Sequence, residues 1–158
     1  MKQSILKDKS KLFALRVIRL YKYLCEEKKE YVLSKQLLRS GTSIGANIAE
    51  AFYGQSEADF VAKLSISQKE TSETIYWLEL LHESEYLKDN EFDSVYSDAE
   101  ELIKLLTSSI KTIKEKMLQS KLSNVQKITS AENLRSRASD EIVPFREFII
   151  KDDTSALL

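Results

Sequence analysis

Apolar residues recur along this chain at helical spacing in four successive blocks, with no block of strict alternation. In the first, Phe13, Val17, Leu20 and Leu24 stand at i, i+4, i+7 and i+11. Ala14, Ile18, Tyr21 and Cys25 follow one position behind, so the apolar stripe is wide and predicts a helix over about Ser10 to Lys28. A charged connector, Glu26 to Glu30, leads to a second helix over about Val32 to Tyr53. Its stripe is Leu37, Gly41, Ile44, Ile48 and Ala51. Gly54 is placed to end it in a left-handed conformation, and Ser56 with Asp59 forms a capping pair for the next. The third helix, about Glu57 to Glu85, carries Phe60, Leu64, Ser67, Thr71, Thr74, Leu78 and Leu81 on one stripe. That stripe is apolar at both ends and hydroxylic in the middle. A second stripe holds Lys63, Ile66, Glu70, Glu73, Trp77 and Leu80. The fourth helix starts with Asp89 or Asn90 as N-cap and runs to about Ser120 on Val95, Ala99, Leu102, Leu106, Ile110, Ile113 and Met117.

The stretch Arg39 to Ala51 has almost no face left for water. Thr42, Gly45, Ala46 and Ala49 are small, and Arg39, Ser43, Asn47 and Glu50 lie within about 80° of one another beside the apolar stripe. It reads as the central helix of a bundle, with Gly41 and Gly45 admitting a close neighbour that offsets their poor helix propensity. Short connections make consecutive helices antiparallel. The expected fold is therefore all-α, an up-down-up-down four-helix bundle over residues 1–120. Helix two's polar stripe and helix three's Glu70 and Glu73 then meet as a buried polar cluster: Arg39, Ser43, Asn47, Glu50, Glu70 and Glu73. An unpaired buried carboxylate costs several kcal/mol, so the cluster must pair internally or with Lys63 or Lys69.

Residues 121–158 form a C-terminal extension in which serines interrupt the pattern. A short helix over Asn124 to Arg137 fits there, followed by an apolar island of Ile142, Val143, Pro144, Phe145, Phe148 and Ile149. The island can dock on its own bundle, on a sister subunit or on a partner protein, or stay disordered.

Composition supports helices. Three Gly and one Pro in 158 residues leave little punctuation for strands. The single Cys excludes an intrachain disulfide and fits a cytoplasmic protein, with Cys25 a small buried hydrophobe. No run approaches the length of a membrane span. A net charge of −1 conceals an asymmetry: residues 1–50 hold eleven Lys/Arg against five Asp/Glu, whereas 51–119 hold seven against fourteen. Lys9, Lys11, Arg16, Arg19 and Lys22 make the densest basic stretch, a candidate contact for a nucleic-acid backbone. The alternative is that these cations pair with the acidic corner Glu83 to Glu101, eight acids and one Lys.

No catalytic constellation is present. Glu79-x-x-His82 has the i, i+3 spacing of di-iron bundles, but with one His in the chain a second such pair cannot exist within a subunit. There is no phosphate-binding glycine loop, no placed nucleophile and base, and no Cys/His metal spacing, so neither metal nor cofactor is expected. Trp77, beside Tyr76, reads as core or interface ahead of a base-stacking residue.

The run from Leu33 through Leu87, with its blocks "RSGTSIGANIAEA" and "FVAKLSISQKETSETIYWLELL", resembles the 23S rRNA intervening-sequence proteins. The resemblance covers about residues 10–118. It implies a small all-α subunit that assembles into a homopentamer, and a kinship with accessory proteins of diversity-generating retroelements, which bind nucleic acid and a reverse transcriptase. Two functions follow as expectations. One is a non-catalytic homo-oligomeric scaffold that binds RNA or single-stranded DNA, as accessory to a reverse transcriptase or an rRNA element. The other is a protein-interaction adaptor ring that presents its C-terminal tail to a partner without nucleic acid.

Overall fold

The computed structural model describes the backbone of residues 2–154 and the side chains of residues 5–138. Four helices account for it: α1 (Lys2–Glu26), α2 (Leu33–Ala51), α3 (Glu57–Glu83) and α4 (Asp89–Thr154). The described residues contain no strand, and the fold is all-α. The chain divides into two units, residues 1–115 and 116–158.

In the first unit α2 packs against α1 and α3. α4 closes the bundle on both remaining sides, through ion pairs to α1 and through Gln68 Nε2 donating to Thr107 Oγ1 at 2.7 Å from α3. The core is Val17 and Leu24 of α1, Leu37, Ile44 and Ile48 of α2, Leu64, Leu78 and Leu81 of α3, and Leu102 and Leu106 of α4, all essentially solvent-free. These residues belong to the stripes read from the sequence, with small shifts. Val61 takes the buried position expected of Phe60, whose ring instead packs edge-on against Phe52 at 5.5 Å.

The helix ends differ from expectation in instructive ways. α1 begins eight residues early, because Leu6 and Ser10 extend its buried stripe. Gly54 is not left-handed, and no Gly is. What it supplies is room: a Cβ there would lie 3.1 Å from the Ala51 carbonyl and 3.3 Å from Asp59 Cβ. The left-handed positions are Lys29 (φ 54°) and Glu85 (φ 64°), each just past a helix end. At the second, Tyr86 N–H donates to Leu81 O and Glu85 N–H to His82 O, the paired reverse bonds that satisfy a helix's last carbonyls. α3 is capped by Ser56, whose hydroxyl accepts from Asp59 N–H at 3.1 Å, as its spacing predicts. For α4 the cap is Lys88 instead of Asp89 or Asn90. Its N–H donates back to Glu91 Oε2 at 2.9 Å, and its carbonyl accepts the first helical bond, from Phe92.

The connector before α2 is a built structure. Glu30 is 6% exposed and its carboxylate accepts the N–H groups of Val32, Leu33 and Ser34 at 3.0, 2.8 and 2.7 Å. These are orphan donors at a helix start, and the charge lies at the positive end of the helix dipole. Burial pushes the Glu30 carboxyl up, but the three amides and the Ser34 hydroxyl outweigh it and hold the group below the usual carboxylate range.

In the second unit the backbone is helical through residue 154, including Pro144. The side chains of Ile142, Val143, Pro144, Phe145, Phe148 and Ile149 lie outside the described residues.

Candidate interaction surfaces

Two seams of the bundle carry the residues singled out in the sequence. They lie on opposite sides, since α2 and α3 form one and α1 and α4 the other.

Along the α1/α4 seam, Lys9 Nζ meets Glu101 at 2.7 Å and Arg16 Nη1 meets Asp98 at 2.6 Å. Arg16 also donates to the Ser94 carbonyl at 3.1 Å and to its hydroxyl, so the guanidinium is held flat across one turn of α4. Tyr23 OH donates to Glu91 Oε1 at 3.1 Å. Of the five basic residues expected to meet nucleic acid, two are therefore used inside the chain by the acidic corner. Lys11, Arg19 and Lys22 are exposed and have no ion pair among the described residues. Shallow hollows of about 430 and 220 Å³ flank Arg16, and Arg19 lines both. At 100° per residue the free cations share the outer face of α1 with Leu12 and Leu15, which are 65% and 45% exposed.

The α2/α3 seam has two layers. Inside, hydroxyls replace apolar groups: Ser67 donates to the Ile44 carbonyl at 3.0 Å, Thr74 to Ser40 Oγ at 2.9 Å, and Thr71 to the Ser67 carbonyl at 2.8 Å. All four hydroxyl residues are solvent-free, so every one must find a partner within the bundle. Outside runs the expected polar cluster, and the expectation that it is buried does not hold in the single chain. Arg39 and Glu50 are exposed, and Ser43, Asn47, Glu70 and Glu73 are half-buried. The cluster splits into two ion-paired sets. Lys63 bonds Glu50, while Arg39 bonds Glu73 and faces Glu70 Oε2 at 3.6 Å. Asn47 Nδ2 donates to the Ser43 carbonyl at 2.9 Å and Ser43 to the Arg39 carbonyl at 2.7 Å, so these two serve their own helix. Glu70 Oε2 is shielded from solvent and accepts no hydrogen bond. Arg39 first, then the Trp77 indole N–H at 3.1 Å, hold the Glu73 carboxyl below its ordinary range. Trp77 is half-buried, edge-on to Tyr76 at 5.1 Å. Ile66 (40% exposed) and Tyr53 (86%) line a hollow of about 370 Å³ at the α2 end of this seam.

The sequence reading missed Glu30 and Ser40. Ser40 stands at i+3 from Leu37 and i−4 from Ile44, so the core periodicity itself marks it as inward-facing. Glu30 carries the signal of an acid just before a helix start, which a uniformly charged connector obscured.

His82 Nε2 meets Asp89 at 2.8 Å and its ring stacks on Phe92 at 4.3 Å, so it serves the α3–α4 turn. Among the described residues no three His, Cys, Asp or Glu side chains are grouped to hold a metal ion, and no helix is long and apolar enough to cross a membrane.

This arrangement of four helices has known relatives. Residues 2–108 match the 23S rRNA-intervening sequence protein family. The chain belongs to that family. A solved structure from Bacteroides thetaiotaomicron, described as a protein of unknown function from the S23 ribosomal protein family, is 56% identical with a TM-score of 0.70. The match covers 70% of this chain and 99% of the other. No curated protein matches. The family match ends at residue 108, so neither it nor the shared bundle speaks for residues 116–158.

Proposed function

We propose that this family member is a non-catalytic scaffold that assembles with copies of itself through the two outer seams of its bundle, and that its contacts are with protein. The observation that carries this is the outer face of α1. Its free cations, Lys11, Arg19 and Lys22, are interleaved with Leu12 and Leu15, two exposed leucines that a phosphate backbone cannot use. A basic, partly apolar face suits an acidic, partly apolar one. The opposite seam offers Ile66 and Tyr53 beside three carboxylates, Glu50, Glu70 and Glu73, that outnumber their two paired cations, Lys63 and Arg39. Unlike faces on opposite sides of a subunit join head to tail, and such contacts close into a ring when the rotation between neighbours divides a full turn. The homopentamer implied by the family resemblance is one such ring. Residues 1–108, with fifteen Lys/Arg against eighteen Asp/Glu, would also repel a polyanion as a whole.

A second reading rests on the same three cations. Lys11, Arg19 and Lys22, brought together from several subunits, supply a basic rim for RNA or single-stranded DNA, in the manner of a reverse-transcriptase accessory protein.

A titration of the purified protein with RNA and single-stranded DNA across a salt series tests the choice. The scaffold reading expects no binding at low salt. Binding whose log affinity falls linearly with log salt, and which is lost when Lys11, Arg19 and Lys22 are changed together to Glu, overturns it in favour of the second.

A further inference from the structure

The second unit poses a separate question. Every described residue from Leu118 to Ala138 is exposed, although the segment carries large apolar side chains: Leu118 59%, Leu122 55%, Val125 59%, Ile128 59% and Leu134 67%. An isolated helix gains little from propensity alone, and most helical stability comes from covering an apolar stripe. Here nothing in the described chain covers it.

The stripe has a period. Leu118, Leu122, Val125, Ile128, Ala131, Leu134, Ala138, Ile142, Phe145 and Ile149 follow one another at steps of three or four residues. In one frame of 3.5 residues per turn, that of a left-handed coiled coil, Leu118, Val125, Ile128, Ile142 and Ile149 take the two seam positions and Leu122, Ala131, Ala138 and Phe145 the positions beside them, whereas Leu134 falls outside the seam. A stripe at this period stays on one side only if the helix winds around another helix. The charges say which helix and in which direction. Residues 116–138 hold five Lys/Arg and one Asp/Glu, whereas 139–158 hold two and five. Two copies laid parallel would set basic half on basic half. Laid antiparallel, each basic half faces an acidic one.

We infer that residues 116–154 pair antiparallel with the same segment of a second copy. The register follows from centring the stripe on itself. Leu118 then stands level with Ile149, Leu122 with Phe145, and Val125 with Ile142, about a crossing point between Asn133 and Leu134. In the same register Lys127 is level with Asp140 and Glu132 with Arg135. Pro144 costs one backbone hydrogen bond near the outer end of the pair, and the helical spacing places it off the stripe. The pairing is independent of the bundle's own contacts. It joins two chains, or two assembled rings, and doubles whatever number of copies the bundle sets.

The full-length protein tests this in two ways. Val125→Glu with Ile128→Glu places two like charges in the stripe of each copy, on side chains that are both 59% exposed. The mass by sedimentation equilibrium should fall to about half, with the bundle's unfolding midpoint unchanged. In a Cys25→Ser background, Val125→Cys with Ile142→Cys should form an interchain disulfide under mild oxidation. Leu118→Cys alone should not, whereas Leu118→Cys with Ile149→Cys should. An unchanged mass for the charged variant overturns the pairing. Ready crosslinking of Leu118→Cys to itself overturns the antiparallel direction.

Discussion

The tightest of the glycine contacts gives the sharpest prediction, at Gly41. A Cβ there would lie 2.8 and 2.9 Å from the two Val17 methyl carbons, about 1 Å inside an ordinary carbon contact. Val17 is completely buried and β-branched, so its χ1 has essentially one setting in a helix and the methyls cannot turn aside. Overpacking of this kind costs about 1–3 kcal/mol, against about 1 kcal/mol gained by replacing Gly with Ala in a helix interior. Gly41→Ala should therefore destabilise by about 1 kcal/mol net. Gly45 provides the contrast on the same helix. Its nearest atom is the Ser10 carbonyl oxygen at 3.4 Å, an ordinary contact, so Gly45→Ala should stabilise by about 0.5–1 kcal/mol. Val17→Ala removes the obstructing methyls, and in that background Gly41→Ala should become stabilising, a coupling of about 1–3 kcal/mol. The assay is urea unfolding followed by circular dichroism at one fixed protein concentration, because assembly would otherwise shift the midpoint. If Gly41→Ala stabilises as Gly45→Ala does, or if the cycle is additive within about 0.5 kcal/mol, the account of this contact is wrong.

Other perturbations follow from the same geometry. Glu30, Glu73 and Glu91 all have carboxyls held below their ordinary range. A lowered folded value means stability that is present above the unfolded-state value of about 4.5 and is lost as pH falls through the folded one, so urea midpoints should drop below about pH 4.5. Glu30→Gln should lower the midpoint at pH 7 and flatten that acid limb; a limb of unchanged steepness would remove Glu30 from the account. Thr74→Val leaves Ser40 without its interhelical partner and should cost about 1–3 kcal/mol, whereas a neutral result would mean the inner hydroxyl seam is not held by that bond. Lys29→Gly relieves a left-handed residue and should raise the unfolding midpoint by the equivalent of about 1 kcal/mol; a lowered midpoint would contradict the strain.

Much of the bundle was legible because 3.6-residue periodicity is a direct image of burial. Leu64, Ser67, Thr71, Thr74, Leu78 and Leu81 were placed on one inward stripe although half of them are polar, and all are buried. What the pattern could not supply was the sharing of space between helices. Arg39 to Ala51 looked closed to water all round, yet only one face of α2 is buried in the single chain, because small residues such as Ala46 are compatible with either surface. The basic stretch of α1 was visible as charge, but its division into paired Lys9 and Arg16 and free Lys11, Arg19 and Lys22 depends on which turn of α4 lies opposite. Caps behaved similarly. Ser56 followed the usual chemistry, whereas Lys88 and Glu30 act through a neighbour's side chain or from outside the helix, and composition rules do not reach that far.

The central claim is that the bundle itself assembles through protein contacts of the α1 outer face. Sedimentation equilibrium of the Val125→Glu, Ile128→Glu chain tests it most directly, because the extension's pairing is then removed and only the bundle can associate. The predicted mass is a multiple of 18.2 kDa that collapses to the single chain when Leu12 and Leu15 are also changed to Glu. A single-chain mass before those two changes, or a multiple that survives them, contradicts the claim.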